Sequence, residues 1–226
     1  ILGGSISAQL PKWNFAPFVP FESMPQVDSF ILGLTEQCNL RCTYCCYSGN
    51  YVNKRSHNTV SMGTDDVDDI LLFIDSFTSN RPIKIFLYGG EPLLNYNIVQ
   101  YAIEESRKQW DNDVSFTIST NGTTLTKERI DWLVANNVVL ALSIDGTKPF
   151  HDSYRVDAQG NGSYTRVYDA LKYIKTTYPE YAKEMSLIMT LASFDKIVNI
   201  AEAWNNDEVL RDWTPTMMNS LAPNFS

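Results

Sequence analysis

Residues 34–51 read LTEQCNLRCTYCCYSGNY, and this stretch holds every cysteine of the 226-residue chain: Cys38, Cys42, Cys45 and Cys46. Neighbours such as Cys45 and Cys46 rarely bridge, and no distant cysteine exists to pair with, so this is not a disulfide framework. Clustered thiols point instead to metal or redox chemistry in a reducing compartment, and the expected location is the cytoplasm. Cys38, Cys42 and Cys45 have the spacing C-x3-C-x2-C, which lets a compact loop aim three thiolates at one point. Soft sulfur ligands select iron–sulfur clusters, and three thiolates leave one iron of a cubane without a protein ligand. Such an iron can bind a substrate, as the open position of a catalytic zinc does. A second reading is zinc held by the three cysteines and a fourth ligand, Cys46 or His57. Structural zinc sites use two short pairs separated by a longer arm, and no second pair exists here. A third reading, four buried and unligated thiols, fits poorly with a loop this polar.

Outward from the cysteines, β-like runs alternate with helical ones. SFILGLT (Ser29–Thr35) is a strand that runs into the cysteine loop. TDDVDDILLFIDSF is a helix with Val67, Ile70, Leu71, Ile74 and Phe77 on one stripe and Thr64 as its N-cap. IKIFLYGGEP is a buried strand closed by two glycines, and NIVQYAIEESRKQW is a helix with Val99, Ala102, Ile103, Ser106 and Trp110 on one stripe. VSFTISTNG is a third strand, TKERIDWLVANN a helix capped by Thr126, and VVLALSIDG a fourth strand. A loop, TKPFHDSYRVDAQGNGS, leads to the helix YTRVYDALKYIKTTY. MSLIMTLA is a fifth strand, Ser193 caps the helix FDKIVNIAEAW, which ends in a core Trp204, and TPTMMNSL is a sixth strand. Repeated βα units with apolar strands predict a parallel sheet with right-handed crossovers, either a partial barrel or an open doubly wound sheet. In both, function sits at the carboxyl ends of the strands. The cysteine loop, GGEP, STNG and SIDG each follow a strand directly, so they are expected on one rim.

The chain is 44% hydrophobic, enough for one sizeable core. Its net charge of −8, from 18 basic and 26 acidic residues, argues against nucleic-acid or anionic-membrane partners. No apolar run is long enough to span a bilayer. The Pro-rich residues 1–28 read as an extended lead-in and 29–226 as the core domain. The start lacks a signal-peptide pattern and a Met, and the chain stops abruptly at LAPNFS, as expected of a piece of a longer protein.

CNLRCTYC, with Tyr44 before its third cysteine, resembles the cluster-binding signature of the radical S-adenosylmethionine (radical SAM) superfamily. The resemblance runs from about Ser29 to about Leu191. It implies a partial parallel (β/α)6 barrel in which Cys38, Cys42 and Cys45 hold a [4Fe–4S] cluster. SAM chelates the unique iron in that family, and one electron cleaves it to methionine and a 5′-deoxyadenosyl radical that abstracts a hydrogen atom. The YGGEP of residues 88–92 is similar to the family's GGEP motif. Gly89 and Gly90 would let backbone approach the ligand, and Glu91 would accept from the SAM ammonium. Ser119, Thr120 and Asn121 would lie near the methionine or ribose part, although STNG read by itself is an Asn-Gly turn. Ser143 and Asp145, two apart and so on one side of the strand, would contact SAM or substrate, or Asp145 would cap the strand end. Arg155, in HDSYR, would fork onto the SAM carboxylate. His151 reads as a loop-bracing residue, His57 as an ordinary loop residue, and Cys46 as a packed thiol beside the cluster.

Taken together, the motifs are most similar to those of the peptide- and protein-modifying members, the SPASM/twitch-type maturases. These include sulfatase-maturating and thioether-forming enzymes. The resemblance therefore implies a peptide or protein substrate and a flavodoxin- or ferredoxin-type electron donor. A small-metabolite substrate and a non-catalytic zinc or Fe–S module are the alternatives. The maturases carry a C-terminal extension with further cysteines, and no cysteine follows Cys46. Auxiliary clusters are thus expected only if such an extension exists outside these residues.

Overall fold

A computed structural model describes residues 27–48, 56–77, 82–193 and 195–219. Apart from Val27 and Asp28, the lead-in assigned to residues 1–28 lies outside these residues. Six strands form one sheet: β1 (Ser29–Thr35), β2 (Ile83–Gly89), β3 (Val114–Thr120), β4 (Val138–Ser143), β5 (Ser186–Leu191) and β6 (Thr216–Asn219). They lie in sequence order, and every neighbouring pair is parallel. Among the described residues the sheet does not close and β1 and β6 are its edges, as in the expected partial barrel. The crossovers carry α1 (Thr64–Phe77), α2 (Tyr96–Trp110), α3 (Lys127–Ala135), α4 (Lys148–Tyr154), α5 (Tyr164–Thr177), α6 (Pro179–Glu184) and α7 (Ile197–Asn206).

The core lies between the helices and one face of the sheet. Ile83, Ile85 and Leu87 of β2, Phe116 and Ile118 of β3, and Leu140 and Leu142 of β4 are all buried there, against Val67, Leu71 and Ile74 of α1 and Val99 and Ile103 of α2. The other face is different. Phe86 and Tyr88 of β2 are 39% and 48% exposed, and Ile31, paired with Phe86 in the β1–β2 ladder, is 74% exposed. The run IKIFLYG therefore alternates and is not buried on both faces as its apolar sequence predicted. An open barrel leaves its inner wall to a ligand, so apolar residues there need no helix to cover them.

Four local expectations are corrected. Thr64 is the first residue of α1 and not its cap; the Asp66 carboxylate reaches back to accept from the Gly63 N–H at 2.8 Å. Ser193 does not cap α7, which starts only at Ile197; its hydroxyl donates to Asp195. The loop before α5 contains the helix α4, started by Pro149 in its first turn. A short helix, α6, also intervenes before β5 and again begins with a proline, Pro179. Thr126 does cap α3, accepting from Arg129 N at 3.3 Å. Trp204 is buried and Trp110 packs at the core margin.

Candidate active site

The cysteine loop leaves the carboxyl end of β1 and is fixed at its root by the end of β2. Gly90 N donates to Thr35 O at 2.8 Å, and Glu91 N to Gln37 O at 2.7 Å. This contact leaves no room for side chains. A Cβ on Gly89 or on Gly90 would lie 2.3 Å from the carbonyl oxygen of Thr35 or Gln37 respectively. Gly89 also has φ +148°, which side chains disfavour. The two glycines thus admit the chain's own backbone, where the sequence pointed to close approach of a ligand. On its far side the loop is stitched to the segment after α4: Arg41 N donates to Val156 O at 2.6 Å and Thr43 N to Tyr154 O at 3.1 Å. Arg155 lies between those two acceptors, which brings it to the cysteines although it is 109 or more positions beyond them in sequence.

These contacts frame a cavity of about 490 Å³ at the carboxyl rim. Cys38, Cys42 and Cys45 line it, together with Tyr44. Gly89, Gly90, Ser119, Thr120 and Asn121 form the wall from β2 and β3, and Ser143 and Arg155 the wall from β4 and α4. Cys46 also reaches the cavity but is exposed, not packed. His57 is outside it, stacked on Tyr47 at 5.7 Å between ring centres.

Two expected ligand residues face inward to protein instead. Glu91 is fully buried behind the wall. Its carboxylate accepts from Thr120 Oγ1 at 2.7 Å, Asn121 N at 2.7 Å and Leu93 N at 3.1 Å. Burial pushes its pKa up, and those three hydrogen bonds pull it back. Glu91 thereby ties the end of β2 to the end of β3. Asp145 is also fully buried and does not line the cavity. It accepts from Arg155 Nε at 2.7 Å, Arg155 Nη2 at 3.2 Å and Thr190 N at 2.8 Å, and from the Tyr44 hydroxyl. Arg155 is therefore anchored on Asp145, with its guanidinium carbon 5.4 Å from the centre of the Tyr44 ring. Burial alone would lower the Arg155 pKa, but the charge and hydrogen bonds of Asp145, joined by Tyr44 and Cys42, together raise it, so the guanidinium stays protonated.

His151 supports this pair from below. Asp145 N donates to its Nδ1 at 3.1 Å, so the ring proton sits on Nε2, which donates to Ser163 Oγ at 2.9 Å. Ser163 Oγ donates in turn to Arg155 O at 2.8 Å. One neutral imidazole thus braces the backbone of both members of the ion pair. Burial lowers its pKa to about 4.

The cysteines need a cation. Burial pushes Cys42 up to about 12 and raises Cys38 and Cys45, so thiolates at these positions call for a cation beside them. Binding of iron would replace those protons. Among the described residues no three His, Cys, Asp or Glu side chains converge tightly enough for one metal ion. Cys38, Cys42 and Cys45 line one cavity, and three thiolates are the donor set that a cluster with one open iron would take there.

Sequence reasoning did not single out Asn39, Thr123, Ser163 or Thr190, which hold these groups in place. Thr190 was findable, because its period-2 position on β5 turns it to the cavity. The Ser163–His151 contact had no local signal.

The comparisons with known proteins agree with this geometry. The Radical SAM superfamily matches residues 32–202. The chain is 28% identical over 161 residues to the cysteine-type anaerobic sulfatase-maturating enzyme of Clostridium novyi, covering 70% of this chain and 43% of that enzyme. It is 33% identical over 124 residues to the GTP 3′,8-cyclase of Haemophilus influenzae, covering 53% of this chain and 34% of the cyclase. Native anSMEcpe with bound AdoMet has a similar fold, with a TM-score of 0.73 and 22% identity over 86% of this chain and 52% of that one. The chain thus spans about half the length, or less, of these relatives. A match over most of the chain, on a fold and a cysteine-lined rim of this kind, places it in the radical SAM superfamily, whose members use a [4Fe–4S] cluster and S-adenosylmethionine.

Proposed function

We propose that residues 29–226 are the core domain of an enzyme that cleaves SAM reductively and abstracts hydrogen from a peptide or protein, as in peptide maturation. The observation that carries this reading is the convergence of three cysteines, the β2 and β3 strand ends and Arg155 on one cavity. Cys38, Cys42 and Cys45 are the proposed cluster ligands. When bound, the cluster and SAM supply an electron and a 5′-deoxyadenosyl radical, which takes a hydrogen atom from the substrate.

The chain's own residues bind and orient. Arg155 commits Nε and Nη2 to Asp145, which leaves Nη1 to meet the SAM carboxylate. Ser119 and Ser143, with the Thr120–Asn121 segment set by Glu91, line the cavity where SAM would lie. Tyr44, whose hydroxyl is held by Asp145, closes the floor beneath Arg155. Glu91 acts behind the wall, as a brace for the strand ends rather than as the ammonium partner. Tyr88, which lines the cavity, and Phe86 on the same strand face offer an apolar wall to a substrate segment. A flavodoxin- or ferredoxin-type electron donor and a cytoplasmic setting complete the proposal. Among the described residues no helix is long and apolar enough to cross a membrane.

Similarity to a sulfatase-maturating enzyme over 70% of the chain favours a peptide or protein substrate. Similarity to a GTP cyclase supports a small metabolite as the second reading, over a shorter stretch. The test is anaerobic incubation of the reconstituted protein with SAM, reductant and candidate peptides, read by mass spectrometry. A peptide mass change that requires SAM supports the first reading. Turnover only with a small molecule supports the second. Zinc bound without SAM cleavage defeats both.

A further inference from the structure

The three proposed cluster thiols differ in the donors they receive. Cys38 Sγ accepts from the backbone of Leu40 at 3.4 Å and from the side-chain amide of Asn121 at 3.8 Å. Cys45 Sγ accepts from the backbone of Tyr47 at 3.4 Å. Among the described residues, Asn121 is the side chain that offers an N–H to one of these sulfurs. Its amide orientation is fixed independently of the sulfur. Asn121 Oδ1 accepts from Thr123 N at 3.0 Å and from Thr123 Oγ1 at 2.6 Å, so Nδ2 must turn toward the cysteine loop. There its second hydrogen goes to Asn39 Oδ1 at 3.0 Å, and Asn39 Nδ2 donates to Thr123 Oγ1 at 2.7 Å, closing a ring. The hydrogen bonds of that ring are mutually consistent without reassigning an amide. The Asn121 backbone is held as well, by Glu91.

We infer that Asn121 is a tuning residue for the cluster: its side-chain amide donates to the Cys38 sulfur and raises the cluster's reduction potential. This rests on the proposed ligation by Cys38, Cys42 and Cys45. An N–H donor stabilises negative charge on a thiolate, and the reduced cluster carries one more negative charge than the oxidised one. The donor therefore favours reduction, and hydrogen bonds to cluster sulfurs are one of the levers that set such potentials. The role also differs from contact with the methionine or ribose part of SAM, because it acts without SAM.

The experiment is an EPR-monitored redox titration of the anaerobically reconstituted protein without SAM, alongside iron and sulfide analysis. Asn121→Ala should keep its iron and shift the midpoint potential to a more negative value. Thr123→Val opens the ring but leaves the Thr123 N–H to orient the amide, so its midpoint should stay near that of the wild type. If Asn121→Ala does not hold iron, Asn121→Ser replaces it, since the serine hydroxyl can still accept from Thr123 N while offering no amide to sulfur; the same negative shift is expected. A loaded variant with an unchanged or more positive midpoint overturns this inference alone. A wild-type chain that takes up no iron and sulfide overturns it together with the proposed function.

Discussion

Arg155 and Asp145 form a buried ion pair, with Arg155 Nε 2.7 Å from Asp145 Oδ2 and side chains 8% and 0% exposed. The pair joins the end of β4 to the segment after α4, to which the cysteine loop is bonded, and its arginine is a cation at the cavity wall. Removing one member of such a pair leaves an unpaired buried charge, at a cost of about 3–5 kcal/mol. Asp145→Asn should therefore lower Tm by on the order of 10 °C, since about 1 kcal/mol moves a domain of this size by a few degrees. SAM affinity should fall as well, because Arg155 loses its anchor. Thermal melts and SAM binding assays check both; a variant with wild-type Tm would contradict the bracing role.

Glu91→Gln should destabilise the site although Glu91 does not line the cavity. Its carboxylate accepts backbone N–H groups on both oxygens, from Leu93 and from Asn121. A glutamine in either orientation turns an NH2 group against one of them. Leaving that buried donor unpaired costs about 1–3 kcal/mol. The expected signature is a lower Tm together with poorer iron retention, because the carboxylate ties the ends of β2 and β3 together beside the loop root. Lost SAM affinity with normal Tm and iron would instead restore Glu91 as a direct ligand.

Gly90→Ala should fail at the loop root. Its Cβ would lie 2.3 Å from the Gln37 carbonyl oxygen and 2.7 Å from the Gln37 carbonyl carbon, and backbone cannot swing away as a side chain can. Overpacking of this kind costs about 1–3 kcal/mol and displaces the cysteine loop. Iron uptake per chain after reconstitution should drop well below that of the wild type. Gly160, whose Cβ would meet no atom within 4 Å, is the control position on a surface turn, where Gly160→Asn should leave uptake unchanged.

His151 predicts a pH dependence of stability. Burial lowers its folded pKa to about 4 from the ordinary 6.5. The charged and titratable neighbours acting on it are Asp145, Arg155, Asp152 and Lys148. Between those two pKa values the unfolded chain binds the proton and the folded one does not, so stability is full above pH 6.5 and declines as pH falls toward 4. Over the whole window the loss is about 3 kcal/mol. His151→Asn should be less stable at pH 7.5 but show a shallower fall in Tm between pH 7 and pH 5. Parallel slopes for the two proteins would remove His151 from this role.

The cysteine loop, the parallel βα succession and the carboxyl-rim site were legible in the sequence, because each is written locally: a cysteine spacing, alternating βα runs, glycines and polar residues at strand ends. The strand order was not, since those runs fit a partial barrel and a doubly wound sheet alike and only the family resemblance chose between them. The partners of Glu91, Asp145 and Arg155 were not. A carboxylate beside a glycine pair reads as a ligand residue, and only the packed fold shows that its acceptor sites are filled by Thr120 and Asn121, 29 and 30 positions away. Arg155 likewise fits a carboxylate, and nothing near it in sequence discloses that Asp145 takes it first. The helices α4 and α6 were hidden by their shortness, at seven and six residues, which gives hydrophobic periodicity too few turns to register.

Anaerobic reconstitution of single cysteine variants, scored by iron and sulfide content and by 5′-deoxyadenosine formed from SAM and reductant, tests the central claim most directly. Cys38→Ala, Cys42→Ala and Cys45→Ala should each lose the cluster and form no 5′-deoxyadenosine, whereas Cys46→Ala, altering the exposed fourth thiol, should retain both. A Cys46→Ala protein as empty as Cys42→Ala, or a fully loaded wild type that cannot cleave SAM, would contradict it.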